Sequence, residues 1–476
     1  MENLTSTITA IDAWVWQPYL MPLVLLIVGG WLTLRTGFIQ LRGFPRAVKM
    51  SLSGAFAKEG KGGTITPFQA LSTALAATVG NGNIGGVATA ILIGGPGAIF
   101  WMWMCATAGM ATKFAEATLG VHFRVRRESG ELASGPMYYI EHGIPNRKAG
   151  KALAWAFAFF GMCAAMLGTG NMAQSNTVAR TFVSAADLVF GVQVPMWVPG
   201  ILITIAVGMV LLGGIKRIAH TAEKIVPFMI VVYLLATLAY LVMNFGAIPE
   251  VFALIISDAF TASAAVGGFA GASVAKAIQI GVSRGVLSNE AGLGSSPIAH
   301  GIADVKHPAE QGLVGVFEVF IDTIVICSMT AFVILSSGMW TDPRFQGASG
   351  DLTAAALSSS VPFASAVVAL SSFLFGFSTL IGWCYYGEKC FEYMFGSAWI
   401  KGYRAVFTAL IMVGALVSVP LVWALGTLLN GFMALPNLIA LAFLAGTTAK
   451  LARDYFSGRK EYAIKGEGGR AHGHPI

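Results

Sequence analysis

The chain has 476 residues, of which 56% are hydrophobic and only 11% charged, and its mean hydropathy is +0.72. Soluble domains carry about 25% charged residues, so a soluble fold is excluded and a polytopic membrane protein remains. The net charge of +7 is explained by basic cytoplasmic connections rather than by nucleic acid.

At roughly 20 apolar residues per bilayer crossing, hydropathy predicts about eleven spans: 18–35, 66–92, 97–120, 152–178, 197–214, 225–244, 259–283, 311–336, 360–386, 404–421 and 426–448. Met1 to Gln17 has no basic residue ahead of its first apolar run, so no cleavable signal is read there. Arg35 to Lys61, Arg124 to Lys151, Lys216 to Lys224, Arg284 with Lys306, Lys389 to Arg404, and Lys450 to Arg470 make every second connection basic. The intervening connections hold Glu2, Asp12, Asp187, Glu250, Asp258, Asp342 and Asp351, with only Arg180 and Arg344 as basic residues on that side. The positive-inside rule then places the N-terminus outside and the C-terminus in the cytoplasm.

The second span, Thr66 to Gly94, is uncharged, yet its middle reads Val79-Gly80-Asn81-Gly82-Asn83. Glycine weakens a helix, and an asparagine amide facing lipid is costly. The reading is a helix broken into two halves around an unwound centre, which is tolerated at that depth only inside protein or beside a cavity. A close-packing seam is the competing reading, but packing needs no amides. The half-helix starting near Asn81 offers free amides and a positive dipole end to a carboxylate. Carbonyls from Ala76 to Val79 suit a hard cation such as sodium.

Span four ends in Gln174, Ser175 and Asn176, with Asn171 one turn earlier, a cluster that faces a pocket or glues helices together. Span seven contains Val266-Gly267-Gly268-Phe269-Ala270-Gly271-Ala272-Ser273, predicted as a second break. Carbonyls near Gly267 suit an ammonium group, and Phe269 would close the pocket. By the orientation above, spans two and seven run in opposite directions, which implies an inverted repeat of about five plus five helices after one extra helix. The units are then 1–62 (first helix and loop), 63–248 and 249–449 (the two repeats), and 450–476 (cytoplasmic tail). The stretch 284–308 reads as a long cytoplasmic connection, either holding a short interfacial helix that covers the inner exit or forming an ordinary loop.

Span eight holds Glu318 and Asp322 four residues apart, on one face. Lys113 is expected to pair with Glu116, and Lys276 with Asp322 or Glu318. Span nine offers hydroxyls at Ser371-Ser372 and Ser378-Thr379, which supply a cation or bond their own helix. Trp383, one turn on, closes the pocket or belongs to an interfacial belt. His122, His142, His220, His300 and His307 all fall on predicted cytoplasmic connections. The five cysteines lie in or beside apolar segments without CxxC or Cys/His spacing, so neither a disulfide framework nor a metal centre is indicated.

Gly94-Gly95-Pro96-Gly97-Ala98-Ile99-Phe100-Trp101-Met102-Trp103, followed by Gly109-Met110-Ala111-Thr112-Lys113-Phe114-Ala115-Glu116, resembles the signature of the alanine or glycine:cation symporter family. Arg284-Gly285-Val286-Leu287-Ser288-Asn289-Glu290-Ala291-Gly292-Leu293-Gly294 resembles a second stretch of that family. The resemblance implies sodium-coupled uptake of alanine and glycine through a bacterial or archaeal cytoplasmic membrane, on a leucine-transporter-type inverted repeat. It further implies that the backbone from Gly80 to Gly82 holds the substrate carboxylate. Asn83 and the Thr78 carbonyl would meet a substrate-adjacent sodium. The Ala76 and Val79 carbonyls, with the Ser378 and Thr379 hydroxyls, would meet another. Beyond the small amino acid, sodium and lipid, no partner is evident. Proton coupling through Asp322 is the alternative within transport. A channel lacks the repeated pore loops expected of it, and an enzyme lacks a catalytic constellation.

Overall fold

The computed structural model describes residues 2–54, 64–127, 130–261, 274–346, 349–417 and 419–458. It is a helical bundle with a single two-stranded sheet, Val125–Arg126 against Leu132–Ala133, among the described residues. Among the described residues, six helices are long and apolar enough to cross a bilayer, or seven if the bent pair Pro67–Thr78 and Gly82–Gly94 is one span. Met21–Arg35 and Trp197–Leu211 are shorter apolar helices. Side chains such as Leu212, Leu235, Val242 and Phe443 are exposed on the outside of the bundle, an apolar surface suited to lipid.

The bent pair is the expected first break. Thr66 starts its first arm with a full capping box: the Thr66 hydroxyl takes the Gln69 amide and the Gln69 side chain takes the Thr66 amide, with Pro67 at the first helical position. The arm ends at Thr78, Val79 is extended, a wide π-turn runs over Gly82–Gly86, and the helix resumes at Val87. The two arms differ in direction by 52°.

The sequence reading put the second break at 266–273; the second break among the described residues lies further on, at Glu290–Ser296. Gly267, Gly268, Phe269 and Gly271 lie outside the described residues. The helix Val274–Asn289 passes straight through the expected end of span seven at Ser283, and the chain unwinds at Glu290–Ser296 before the short turn Pro297–His300. The stretch expected as a cytoplasmic connection is therefore packed inside the bundle. Its Gly, Ser and Ala content reflects a tight backbone rather than a solvated loop. Gly292 and Gly294 have φ of +93° and +83°, conformations that L side chains rarely adopt. Glu290, without a glycine's freedom, is also held at φ +56°.

Both broken helices are joined at one end. Thr64 N–H donates to Ile302 C=O and Asp304 N–H to Ile65 C=O, at 3.0 and 2.9 Å. Beside them a buried charged network replaces the pairings read from spacing. Lys113 Nζ pairs with Glu318 Oε1 at 3.2 Å, not with Glu116, and donates to Ser296 Oγ at 2.6 Å. Glu116 Oε1 instead accepts the amides of Gly292 and Gly294 at 3.1 and 3.0 Å and the Asn437 side chain at 2.7 Å. His300, expected on a solvated connection, is fully buried with its Nε2 2.8 Å from Glu318 Oε2; His307 is buried as well. Lys276 hydrogen-bonds Gln279 rather than Asp322 or Glu318. For Lys113, Glu116 and His300 the physical reason is common: each is desolvated here and is held by partners outside its own helix.

Candidate functional site

The site begins with what the first break does to its own backbone. In an unbroken helix the Gly80 amide would bond the Ala76 carbonyl and the Asn83 amide the Val79 carbonyl. Here Gly80 N–H donates to Asn83 Oδ1 at 2.9 Å, and Asn83 N–H to Gly80 C=O at 3.0 Å. The Ala76 and Val79 carbonyls are thereby released from the ladder. The amides of Asn81 and Gly82 have no acceptor among the described residues. Two carbonyls and two amides become available within a few residues, which is what a cation and a carboxylate need.

Side chains from other helices fix this conformation. Asn81 donates to Gln174 Oε1 at 3.1 Å and accepts from Ser372 Oγ at 2.6 Å. Asn83 Nδ2 donates to Asp322 Oδ1 at 2.7 Å and lies 3.0 Å from Ser288 Oγ. Asp322 Oδ2 accepts from Ser288 and Thr323 hydroxyls at 2.7 and 2.8 Å. Asp322 sits in the π-helix Phe320–Cys327, whose extra residue per turn separates its partners from those of Glu318.

The long helix Ala364–Phe395 runs against the break. A Cβ added to Gly80 would fall 2.7 Å from Thr379 Oγ1, and one added to Gly382 would meet Ala77 at 3.1 Å; glycine is what permits the approach. Ser378 and Thr379 donate their hydroxyl protons to Phe375 C=O of their own helix, at 3.0 and 2.8 Å. That bond uses the proton and leaves the oxygen lone pairs free, so own-helix bonding and cation binding do not compete. Trp383 is buried, which removes the interfacial-belt reading. Its Nε1 donates to Glu290 Oε1 at 2.7 Å.

These elements enclose one cavity whose wall includes Thr78, Gly80, Gly82, Gln174, Thr379 and Trp383. Asn81, Asn83, Ala76, Val79 and Ser378 are buried behind or beside that wall. Of the polar cluster at the end of span four, only Gln174 reaches the cavity. Asn171 and Asn176 bind the carbonyls of Phe407, Gly414 and Val417 and act as glue.

The sequence reading missed Arg284, Leu287, Glu290 and Trp423 on the same wall. Arg284 to Gly294 stands out in the sequence as a stretch, and its Gly-x-Gly at 292–294 parallels the Gly-x-Gly at 80–82. That parallel was the available signal. The flanking charges and the serines made the segment look like a loop instead.

The sodium:alanine symporter family matches residues 1–466. The sodium/alanine symporter AgcS of Methanococcus maripaludis is 46% identical over 462 residues, covering 97% of this chain and 99% of that protein. An uncharacterized transporter of Haemophilus influenzae is 43% identical over 458 residues, 95% of this chain and 96% of the relative. Among solved structures, MhsT in complex with L-phenylalanine superposes with a TM-score of 0.55 at 13% identity, over 83% of this chain and 99% of that one, a likeness of fold alone. With matches running nearly end to end, the chain belongs to the sodium:alanine symporter family and is an amino-acid symporter, not an enzyme.

Proposed function

We propose that the chain couples sodium entry to the import of alanine and glycine across the cytoplasmic membrane, by alternating access around the cavity at the first break. The observation that carries the reading is the pair of released carbonyls beside two acceptor-free amides, with the Thr379 oxygen against Gly80. The amides take the substrate carboxylate. The Ala76 and Val79 carbonyls, with Ser378 and Thr379, take sodium. The relative named for sodium and alanine supports both halves of the assignment. Uptake of labelled alanine into proteoliposomes, driven by an imposed sodium gradient or by an imposed proton gradient, tests it: sodium drives accumulation and protons alone do not. A second reading, proton coupling through Asp322, is favoured by that carboxylate's complete burial beside Asn83. Accumulation driven by protons without sodium would select it.

The proposed frame keeps about eleven spans, with 1–62, 63–248, 249–449 and 450–476 as its units and a break at Glu290–Ser296. The N-terminus is proposed outside. With Cys163 replaced by serine, a cysteine at the exposed Gly350 is expected to react with impermeant maleimide on intact cells. One at the exposed Ser457 is expected to react only after permeabilisation. Labelling of Ser457→Cys in intact cells would reverse the orientation.

Size selection follows from the wall. Ala77, Gly80 and Gly86 leave little side-chain volume to displace, and Trp383 is wedged by Gly170, whose added Cβ would fall 2.7 Å from the indole. Glycine and alanine are expected to compete for labelled alanine uptake, and leucine to compete poorly. Apolar contact for one methylene is worth only about 1–3 kcal/mol, so rejection rests on overlap with a ring that has no room to retreat. Leucine competing as well as glycine would show that the wall is placed wrongly.

A further inference from the structure

On the symport reading above, we propose that Arg284 and Asp12 form a separate capture site for the zwitterionic amino acid at the end of the cavity away from the second break. Arg284 receives the carboxylate and Asp12 the ammonium before the substrate moves on to the amides of Asn81 and Gly82.

The case starts from a guanidinium that its surroundings do not satisfy. Arg284 lies on the cavity wall, part-exposed into it, while its Nε is buried with no hydrogen-bond partner. A buried donor left unmade is costly, and a cation within a membrane-embedded segment is a functional candidate by default. Its planar fork matches a carboxylate in two-point contact. Leu287 and Glu290 follow on the same wall. At 1.5 Å per residue, Arg284 stands about 9 Å along the helix from Glu290, so it is a station apart from the break rather than part of it.

Asp12 supplies the opposite charge from another part of the chain. It lies in the helix Glu2–Val15, and the Thr427 hydroxyl donates to its Oδ1 at 2.7 Å. Trp16 Nε1 donates to the Thr427 carbonyl at 3.1 Å, and Val15 packs against Gly431. These contacts pin the end of that helix to Val419–Phe456, one turn from Trp423, which itself lines the cavity. Burial pushes the Asp12 carboxyl up to about 6, while the Thr427 hydroxyl and then the field of Arg284 pull it back. Asp12 and Arg284 thus act on each other, yet no direct ion pair joins them. A small amino acid carries both charged groups on one Cα carbon and is the class of ligand that two such residues can address together.

The test is steady-state uptake of alanine in proteoliposomes at saturating sodium, with equilibrium sodium binding measured without alanine. Arg284→Gln is expected to raise KM about tenfold, the low end of what electrostatic focusing contributes, with kcat and sodium binding within twofold of the unmodified protein. Arg284→Lys, which keeps the charge, is expected to recover most of that loss. Asp12→Asn is expected to raise KM in the same direction. A packing role would lower kcat or the active fraction and would not be rescued by charge. The capture site is overturned if the unmodified protein transports alanine while Arg284→Gln leaves KM within twofold. It is equally overturned if lysine restores nothing, or if Asp12→Asn lowers KM, which would make Asp12 a competitor for Arg284. Absence of uptake by the unmodified protein under either gradient would instead overturn the symport reading.

Discussion

Replacing Glu318 with alanine is expected to cost about 3–5 kcal/mol of stability, the usual penalty for removing one partner of a buried ion pair. Lys113, Glu318 and His300 are all fully buried. With the carboxylate gone, Lys113 keeps the Ser296 hydroxyl and His300 keeps Gln311. The ammonium then loses its direct ion-pair partner, and the buried carboxyls of Glu116 and Glu290 act on it only from a distance. The expected readout is a clearly lowered melting midpoint of the purified protein in detergent, and loss of uptake with it, because Ser296 ends the second break. The double variant Lys113→Met, Glu318→Leu separates pairing from packing. Replacing a buried pair by apolar groups is often close to neutral, so the double variant should be more stable than either single one. If Glu318→Ala melts with the unmodified protein, or if the two single losses simply add, Lys113 is not paying for its burial through Glu318.

How much of this is legible in the sequence depends on the kind of residue. The first break was readable because Gly80, Asn81, Gly82 and Asn83 contradict their surroundings: two glycines and two amides in an uncharged apolar span have no reason to be there except a local one. The capping box at Thr66 and Gln69 is equally local. The second break was not readable by the same rule. Its glycines, at 292 and 294, are flanked by Arg284, Glu290, serines and His300, which shift the hydropathy toward that of a loop. Only the fold reveals that Glu290 is taken up by Trp383, and that the loop amides are taken up by Glu116. The pairings of Lys113 and Lys276 failed for a related reason. Spacing of three or four on one helix brings charges near each other, but it does not say which neighbour a third helix presents. Gln174, Thr379 and Trp383 were found because each stands near a helix turn that the break must face. Which of Asn171, Gln174 and Asn176 turns toward the cavity is a matter of helix rotation, set by packing against 407–417 and outside the reach of sequence spacing.

Replacing Thr379 with alanine is expected to weaken sodium without abolishing it. The hydroxyl proton is already committed to Phe375 C=O at 2.8 Å, so the lone pairs are what the oxygen has to offer, and they lie where a Cβ on Gly80 would be 2.7 Å away. Removing the oxygen leaves the Ala76 and Val79 carbonyls and Ser378 to hold the ion. A loss of about 1.4 kcal/mol in cation affinity raises the sodium needed for half-maximal uptake roughly tenfold. Coupling between two bound ligands is reciprocal, so alanine affinity at fixed subsaturating sodium should fall as well, and high sodium should restore it. Thr379→Val keeps the branched shape against Gly80 and removes only the oxygen; it should match Thr379→Ala if the oxygen is a ligand. Thr379→Ser keeps the oxygen and should stay near the unmodified protein. Alanine uptake measured across a sodium titration in the three variants decides the matter. If alanine and valine both leave the half-maximal sodium concentration unchanged, Thr379 is only a helix-bonded hydroxyl. The ion must then be sought at Asp322, whose carboxylate with Asn83, Ser288 and Thr323 is the other oxygen-rich place beside the first break.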